Sequence, residues 1–327
     1  MPLLDVRDLS VVFQRKGAEP VRAVDGVSFT VEPGQTVGLV GESGCGKSVT
    51  SLAIMGLLPR RGNRVTGEVR FEDTDLLTLR PSDLRDRRGR DIGMIFQDPL
   101  SSLNPVIPLG VQVAEVLERH RGRSRQAALR EARGLLDAVG IPDPARRLKE
   151  FPHQLSGGMR QRALIAIALA CKPRLLIADE PTTALDVTIQ AQILTLLKEL
   201  VDDSGTALVM ITHDLGVVAG LCDTVNVLYA GKVVERAGRH HLFGEPRHPY
   251  TEGLLQSVPR LDVDRGGRLH QIRGSVSDNI PWSAGCAFAP RCDRVIDDCI
   301  GDTVPLEPDS RGGALRCTNP VPQEVPA

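Results

Sequence analysis

Aromatic side chains are scarce in this chain, which has one Trp, two Tyr and seven Phe among 327 residues. So small a set makes an extended surface for stacking nucleic-acid bases unexpected. The formal charge is also nearly balanced, at −1, so binding to nucleic acid through excess positive charge is not expected either.

Long apolar runs and a secretion signal are missing as well. The best apolar stretch, Ala163–Cys171, has nine residues, whereas a membrane-spanning helix needs about 20. Residues Met1–Asp8 lack the basic start and apolar run of a signal peptide. We therefore expect a soluble, cytoplasmic protein that reaches a membrane only through its partners.

Short apolar strands alternate with helical segments. Thr36–Val40 has a buried-strand pattern that runs into a glycine-rich loop, and helical periodicity follows over Ser48–Leu58. Further strands are predicted at 175–178 and 207–211, with a helix over 189–200 between them. The alternation predicts an α/β fold with a mainly parallel sheet covered by helices on both faces.

The octapeptide at residues 41–48, GESGCGKS, matches the phosphate-loop pattern G-x-x-x-x-G-K-[ST]. In such a loop successive N–H groups surround the phosphates, the lysine reaches the β and γ oxygens, and the serine hydroxyl binds Mg²⁺. The Lys47-Ser48 pair favours a nucleoside triphosphate over a dinucleotide. The predicted nucleotide contacts are Gly41, Ser43, Gly44, Cys45, Gly46, Lys47, Ser48 and Val49.

A second anion-binding pattern lies at residues 155–162, LSGGMRQR. Ser156 is placed to cap a helix, and Gly157 and Gly158 let the backbone approach a ligand closely. A helix N-terminus presents free N–H groups and the positive end of the helix dipole, so it favours an anion. The pattern by itself does not say which anion.

An acidic pair follows the strand predicted at 175–178. Asp179 can hold Mg²⁺ through water, and Glu180 can orient the attacking water as a general base. Alone, such a pair is a common solvated strand end, but here it occurs in a chain that also has a phosphate loop.

The four motifs occur in the order GxxxxGKS, LSGGM, Asp-Glu after a strand, and Thr212-His213-Asp214. Over roughly residues 3–245 this order resembles the ATP-binding subunits of ABC transporters. The resemblance implies a P-loop NTPase of the ABC type, with a RecA-like parallel-sheet core, an antiparallel β part and a helical subdomain at about 98–160. The expected domains are 1–250 and a short, irregular, Cys-containing C-terminal extension at 251–327.

Further roles come from the same resemblance. Gln97 matches the Q-loop, which senses Mg²⁺, water and the membrane subunit, and residues 184–186, Ala-Leu-Asp, match the D-loop. His213 matches the switch histidine at the γ-phosphate, and Phe13 the aromatic residue that stacks on adenine. The magnesium contacts it implies are Ser48, Gln97 and Asp179.

The family works as a head-to-tail dimer, in which the phosphate loop of one subunit and the LSGG of the other enclose each ATP. Ser156, Gly157, Gly158 and Asp186 are therefore expected to contact ATP held by a second cassette, which is either a copy of this chain or a related subunit. Because Glu180 and His213 are intact, the resemblance implies a hydrolysing subunit rather than a regulatory one.

The C-terminal part resembles the oligopeptide, dipeptide and nickel importer branch, through His248-Pro249-Tyr250-Thr251 and through its cysteines. The cysteines Cys286, Cys292, Cys299 and Cys317 have the spacing C-x5-C-x6-C-x17-C. Four thiolates can hold Zn²⁺ or an iron–sulfur cluster, and this spacing lacks the close pairs usual for structural zinc. We predict a [4Fe–4S] cluster, with zinc or free thiols as the alternatives.

The resemblance implies that ATP closes the cassette dimer and that hydrolysis reopens it, moving two transmembrane permease subunits through the region near Gln97. An extracytoplasmic solute-binding protein and the permeases would select the substrate. We expect an importer ATPase for dipeptides or oligopeptides at the cytoplasmic face of the membrane, with nickel or another small solute as the alternative. A soluble ABC ATPase acting on nucleic acid or ribosomes is less well supported, because there is one GxxxxGKS and no heptad run.

Overall fold

The computed structural model describes residues 1–14, 17, 19–59, 61–183, 185–257, 272–276, 285–301, 303–309 and 311–322. They belong to two compact units. The first comprises Met1–Leu3, Val31–Gln35 and the described part of Thr78–Met210. The second comprises the described parts of Leu4–Thr30 and Thr36–Leu77 and the described residues from Ile211 onward. The domain division predicted near residue 250 stays a prediction.

Strands and helices alternate along the chain, which confirms the α/β class. The strands are β1 (Leu4–Phe13), β2 (Val21–Val31), β3 (Thr36–Val40), β4 (Asn63–Phe71), β5 (Thr74–Asp75), β6 (Ile92–Ile95), β7 (Leu175–Asp179), β8 (Ala207–Thr212), β9 (Thr224–Tyr229), β10 (Lys232–Gly238), β11 (Glu307–Pro308) and β12 (Ala314–Leu315). The helices are α1 (Lys47–Ile54), α2 (Pro81–Arg87), α3 (Pro99–Ser102), α4 (Leu109–Arg121), α5 (Arg125–Ala138), α6 (Pro144–Arg147), α7 (Gly157–Leu169), α8 (Val187–Ser204), α9 (Leu215–Leu221), α10 (Arg239–Gly244) and α11 (Pro249–Ser257).

In the first unit, helices pack against three neighbouring strands, which have the order β8-β7-β6. Strands β6 and β7 are parallel, with Ile92 opposite Leu175. Every residue of β7 and of β8 is buried, as expected for strands covered on both faces. The acidic pair Asp179-Glu180 lies at the carboxyl end of β7.

The second unit contains two sets of strands. One sheet has the order β2-β1-β4-β5. Strands β1 and β4 are antiparallel, with Leu4 opposite Phe71, and so are β4 and β5. The other set has the order β11-β12-β10-β9-β3, in which β3 and β9 are parallel and the remaining pairs are antiparallel. The phosphate loop follows β3, a wholly buried strand of five residues.

Two features differ from the sequence-based expectation. Helix α1 ends at Ile54 rather than near residue 58, because Gly56 adopts a positive φ of 59° and stops the helix. The C-terminal extension was expected to be irregular, yet β12 pairs with β10, placing Leu315 opposite Glu235. Strands of two residues are too short to show an alternating pattern in the sequence.

Within the described ranges, none of the helices combines the length and the apolar character needed to cross a bilayer.

Candidate active site

At two positions in the loop after β3, the backbone adopts a conformation that only glycine tolerates. Gly41 has a φ of 153° and Gly46 a φ of 99°. A side chain at Gly41 would meet the carbonyl oxygen of Leu228, and one at Gly46 would meet that of Ala23. The glycine requirement is therefore set by the chain's own backbone as well as by any ligand.

Lys47 is held inside this loop. The side chain is buried, and its ammonium donates hydrogen bonds to the carbonyl oxygens of Gly41 (2.7 Å) and Glu42 (3.0 Å). Lys47 is also the first residue of α1, so its charge adds to the positive end of the helix dipole. Ser48 and Val49 follow in the same first turn and are half-buried. The Lys47 ammonium and the start of α1 make this loop locally positive, which favours an anion, and the nucleotide contacts named from the sequence stay a prediction.

The acidic pair lies in the first unit. Asp179, the last residue of β7, is buried, and Glu180 follows with a φ of 46°. The Glu180 Oε2 accepts hydrogen bonds from Gln97 Nε2 (3.0 Å) and from Thr183 Oγ1 (2.8 Å). Gln97 and Glu180 are thus in contact although they lie 83 positions apart in the sequence.

Thr183 was not identified from the sequence. Its only sequence feature is a hydroxyl residue three positions after an acidic one, and its backbone N–H also donates to the Glu180 carbonyl (3.2 Å). Thr183 therefore closes a turn on Glu180 and fixes the carboxylate at the same time.

The LSGG segment starts α7, and Ser156 is its N-cap as predicted. The Ser156 hydroxyl accepts the Met159 N–H at 3.3 Å. Gly157 is exposed, whereas a methyl group placed at Gly158 would lie 2.9 Å from the Cγ2 of Ile189. Close packing against α8 therefore gives Gly158 a structural reason to be glycine in addition to the ligand contact predicted for it.

Asp186 has a role that the sequence did not predict. It is exposed, and its carboxylate caps α8 by accepting the Ile189 N–H at 3.0 Å. The neighbouring D-loop position Ala184 lies outside the described residues.

The remaining predicted residues lie at strand ends in the second unit. His213 is exposed and follows β8 directly, and Asp214 caps α9 by accepting the Gly216 N–H at 2.8 Å. Phe13 is the last residue of β1, half-buried and opposite Asn63.

The four C-terminal cysteines line one cavity of the second unit. They are Cys286, Cys292, Cys299 and Cys317, and His248 and Phe288 line the same cavity. Burial raises the pKa of the Cys286 and Cys292 thiols, and it raises that of Cys317 to about 11, so these three are protonated at neutral pH.

The cavity does not have the arrangement of a single-ion site. Among the described residues, no three His, Cys, Asp or Glu side chains form a group that could hold a metal ion. The arrangement of these side chains therefore does not support a zinc site, and the iron–sulfur cluster stays a prediction.

Comparisons with known proteins cover most of the chain. Residues 24–183 match the family model described as ABC transporter, and residues 234–299 match the one described as oligopeptide/dipeptide transporter, C-terminal region. The chain is similar to the oligopeptide transport ATP-binding protein AppD of Bacillus subtilis (strain 168), with 50% identity over 96% of each chain. It is 54% identical to the dipeptide transport ATP-binding protein DppD of the same strain, over 89% of this chain and 86% of DppD.

A comparison with solved structures also finds an ATP-binding cassette. The dimeric, post-hydrolysis ATP-binding cassette MJ0796 bound to ADP and Pi has 29% identity and a TM-score of 0.65, over 72% of this chain and 98% of that one. The structural features and the comparisons point to the same family. The features are the phosphate loop that encloses Lys47 and the capped LSGG helix, and the relatives are 50–54% identical in sequence. This chain therefore belongs to the ABC transporter family, as one of its ATP-hydrolysing cassettes.

Proposed function

We propose that the chain is the ATP-hydrolysing subunit of an importer for dipeptides or oligopeptides. The main support for this substrate class is the match of residues 234–299 to the C-terminal region of oligopeptide/dipeptide transporters. AppD and DppD, whose names specify oligopeptide and dipeptide transport, align through this region as well as through the cassette. Nickel or another small solute remains the alternative cargo, and the balanced charge argues against nucleic acid.

ATP binding is assigned first to the phosphate loop. The backbone N–H groups of residues 41–49 and the Lys47 ammonium would surround the phosphates, and Phe13 would stack on adenine. Ser48, Gln97 and Asp179 would hold Mg²⁺, which neutralises charge on the phosphate oxygens. The burial of Lys47 supports this assignment, because an ammonium enclosed by the loop is poorly solvated and gains strongly from a phosphate.

Hydrolysis is assigned to Glu180. Its carboxylate would accept a proton from water while the water oxygen bonds to the γ-phosphorus and the bond to the β,γ-bridging oxygen breaks, giving ADP and phosphate. The hydrogen bonds from Gln97 and Thr183 occupy one carboxylate oxygen and so orient the group. His213 would contact the γ-phosphate.

A second cassette would complete each site. Ser156, Gly157, Gly158 and Asp186 would contact ATP bound to the phosphate loop of that second subunit. Ser156, Gly157 and Asp186 are exposed, which supports contact with another molecule. The dimer would act on two permease subunits at the cytoplasmic face of the membrane, and a solute-binding protein would deliver the peptide.

A transport measurement tests the cargo. Cells that lack the gene should lose uptake of a radiolabelled dipeptide or oligopeptide, and the wild-type gene should restore it while a Lys47→Ala gene does not. Uptake of radiolabelled nickel is measured in the same cells. If these cells lose nickel uptake but take up peptide normally, the cargo is nickel and the peptide proposal is wrong.

For the cysteine cavity we propose a [4Fe–4S] cluster held by Cys286, Cys292, Cys299 and Cys317. All four line one cavity, and a cluster spreads its thiolate ligands over four irons, whereas zinc needs every sulfur within about 2.3 Å of one point. Binding would displace the protons that the raised pKa values keep on the thiols.

Anaerobic purification followed by iron, sulfide and zinc analysis tests this proposal. About four irons and four sulfides per chain are expected, and they should fall together in a Cys292→Ser variant. A folded chain free of iron and sulfide would rule the cluster out, and zinc in their place would identify the alternative.

A further inference from the structure

Glu42, the second residue of the phosphate loop, is fixed at three points. Its carbonyl oxygen accepts a hydrogen bond from the Lys47 ammonium at 3.0 Å. Its N–H donates to the hydroxyl of Tyr250 at 2.9 Å, and its carboxylate pairs with Arg291. Two of the three contacts come from residues beyond position 249, far from the loop in sequence.

The pair between Arg291 and Glu42 is bidentate and largely enclosed. Arg291 Nη1 lies 2.7 Å from one carboxylate oxygen and Nη2 lies 3.0 Å from the other. The Arg291 side chain is only 4% exposed and the Glu42 side chain 30%. A fork of two parallel hydrogen bonds fixes direction as well as distance, so it sets where the Glu42 side chain lies.

Arg291 is itself held by backbone groups of the C-terminal part. Its Nε donates to the carbonyl oxygen of Arg273 at 2.6 Å, and its Nη2 donates to that of Gly274 at 3.1 Å. The Tyr229 hydroxyl lies 3.3 Å from Nη1. The guanidinium therefore has a fixed position from which to act on the loop.

An aromatic cluster connects this contact to the cysteine cavity. Tyr229 packs edge-on against Tyr250 at 4.7 Å between ring centroids and against Phe288 at 5.2 Å. Phe288 lines the cavity together with Cys292, which directly follows Arg291 in the chain. The cavity and the contact with the loop are thus built on one short segment.

We propose that Arg291 and Tyr250 are positioning residues for the phosphate loop, through which the C-terminal region sets the affinity for ATP. The inference rests on the proposed binding of ATP at this loop. Tyr250 fixes the Glu42 peptide, and Arg291 fixes and neutralises a carboxylate that belongs to the phosphate loop itself. Releasing Arg291 exposes the phosphates to that negative charge, so nucleotide affinity falls.

A double-mutant cycle on the full-length, anaerobically purified chain tests the proposal. The dissociation constant of a non-hydrolysable ATP analogue is measured by calorimetry for the wild type, Arg291→Gln, Glu42→Gln and the double variant. Arg291→Gln should weaken binding about tenfold, within the usual range of couplings between sites. In the Glu42→Gln background the same change should alter binding less than about twofold, because the carboxylate it acts through is gone.

Steady-state kinetics separates positioning from a general loss of structure. Arg291→Gln should raise the KM for ATP and leave kcat within about twofold, since the hydrolytic residues are untouched. Arg291→Lys keeps the charge but not the pair of parallel hydrogen bonds, so its KM for ATP should lie between those of the wild type and Arg291→Gln. It replaces Arg291→Gln in the test if that variant does not fold. The matched control is Arg311→Gln, because Arg311 is a C-terminal arginine with the same kind of pairing, directed to Glu245 and Asp309 instead.

Two results would overturn the proposal. One is wild-type affinity in both Arg291 variants, and the other is an equal loss on Arg291→Gln with and without the Glu42 carboxylate. Lys47→Ala distinguishes failure of this inference from failure of the ATP site. If Lys47→Ala loses affinity while the Arg291 variants do not, only the positioning role falls, whereas normal affinity in Lys47→Ala removes the phosphate-loop assignment itself.

Discussion

Glu180 combines a strained backbone with an oriented carboxylate. A φ of 46° in a residue other than glycine costs on the order of 1–3 kcal/mol, and such strain persists only where the surroundings impose it. Here the buried strand β7 fixes the chain before Glu180, and the turn closed by Thr183 fixes it afterwards. Strain of this kind is concentrated at functional sites, which agrees with the proposed role of Glu180 as the general base.

Replacing Glu180 with Gln should abolish turnover without preventing ATP binding. The amide keeps the shape of the side chain but cannot take up a proton, so the ATPase rate should fall by about 10²–10⁴-fold. ATP should then keep the protein dimeric on size-exclusion chromatography. Glu199→Gln, a change at an exposed residue of α8, is the control and should hydrolyse ATP normally. An unchanged rate in Glu180→Gln would show that another group accepts the proton.

Lys47→Ala should act on binding itself. Hydrogen bonds to charged groups contribute about 1.5–3 kcal/mol, so losing the ammonium should weaken ATP binding by at least about tenfold. The dissociation constant from calorimetry measures this effect, with Lys198→Ala as the control, because Lys198 pairs with Asp202 on the surface of α8. A normal dissociation constant in Lys47→Ala would contradict the role of the loop.

At the scale of the elements, the LSGG helix α7 depends on its approach to α8. A methyl group at Gly158 would be 2.9 Å from Ile189 Cγ2, whereas one at Gly157 would be 3.5 Å from Leu185 Cδ2, an ordinary contact. Both substitutions replace glycine in the first turn of one helix, so their intrinsic helix propensities change alike. The free energy of unfolding should therefore be lower in Gly158→Ala than in Gly157→Ala by about 1–3 kcal/mol.

Chemical denaturation without nucleotide measures this difference. Repeating both substitutions in an Ile189→Ala background removes the close contact and should abolish the difference. Equal stabilities in the native background would mean that α8 does not restrict Gly158, leaving the ligand contact as the reason for that glycine.

Elements built from adjacent residues were predictable from the sequence, and contacts between distant residues were not. The strand at Thr36–Val40, the loop after it and the Ser156 cap each depend on residues within a few positions, and all three are confirmed. The pair between Arg291 and Glu42 joins residues 249 positions apart, so no local pattern could indicate it. The same reason hid the bond between Gln97 and Glu180, whose geometry follows from the pairing of β6 with β7.

At the scale of the whole molecule, the proposed ATP site requires two cassettes. The residues assigned to the partner's nucleotide lie near the starts of α7 and α8, where Ser156, Gly157 and Asp186 are exposed. Val187, next to Asp186, is 83% exposed although it is apolar. An exposed apolar side chain beside polar ligand-contact residues fits a surface that a second cassette covers when ATP is bound.

Mixing two inactive variants should restore activity if the site is shared between two copies of the chain. Lys47→Ala removes the phosphate-loop side, and Ser156→Arg blocks the LSGG side that would act on the partner. In a mixed dimer, the intact loop of the Ser156→Arg chain meets the intact LSGG of the Lys47→Ala chain, so one of the two sites works. An equal mixture should reach about a quarter of the wild-type ATPase rate, because half of the dimers are mixed and each has one intact site.

The control mixture combines Lys47→Ala with Glu180→Gln. Both changes affect the phosphate-loop side of the site, so a mixed dimer has no intact site and the rate should stay at the level of the separate variants. Recovery in the first mixture but not in the second requires that Ser156 act across the dimer and that Glu180 act on ATP bound by its own chain. If neither mixture recovers while the wild-type chain alone hydrolyses ATP, the site is not shared between copies and Ser156 serves its own chain, as the cap of α7.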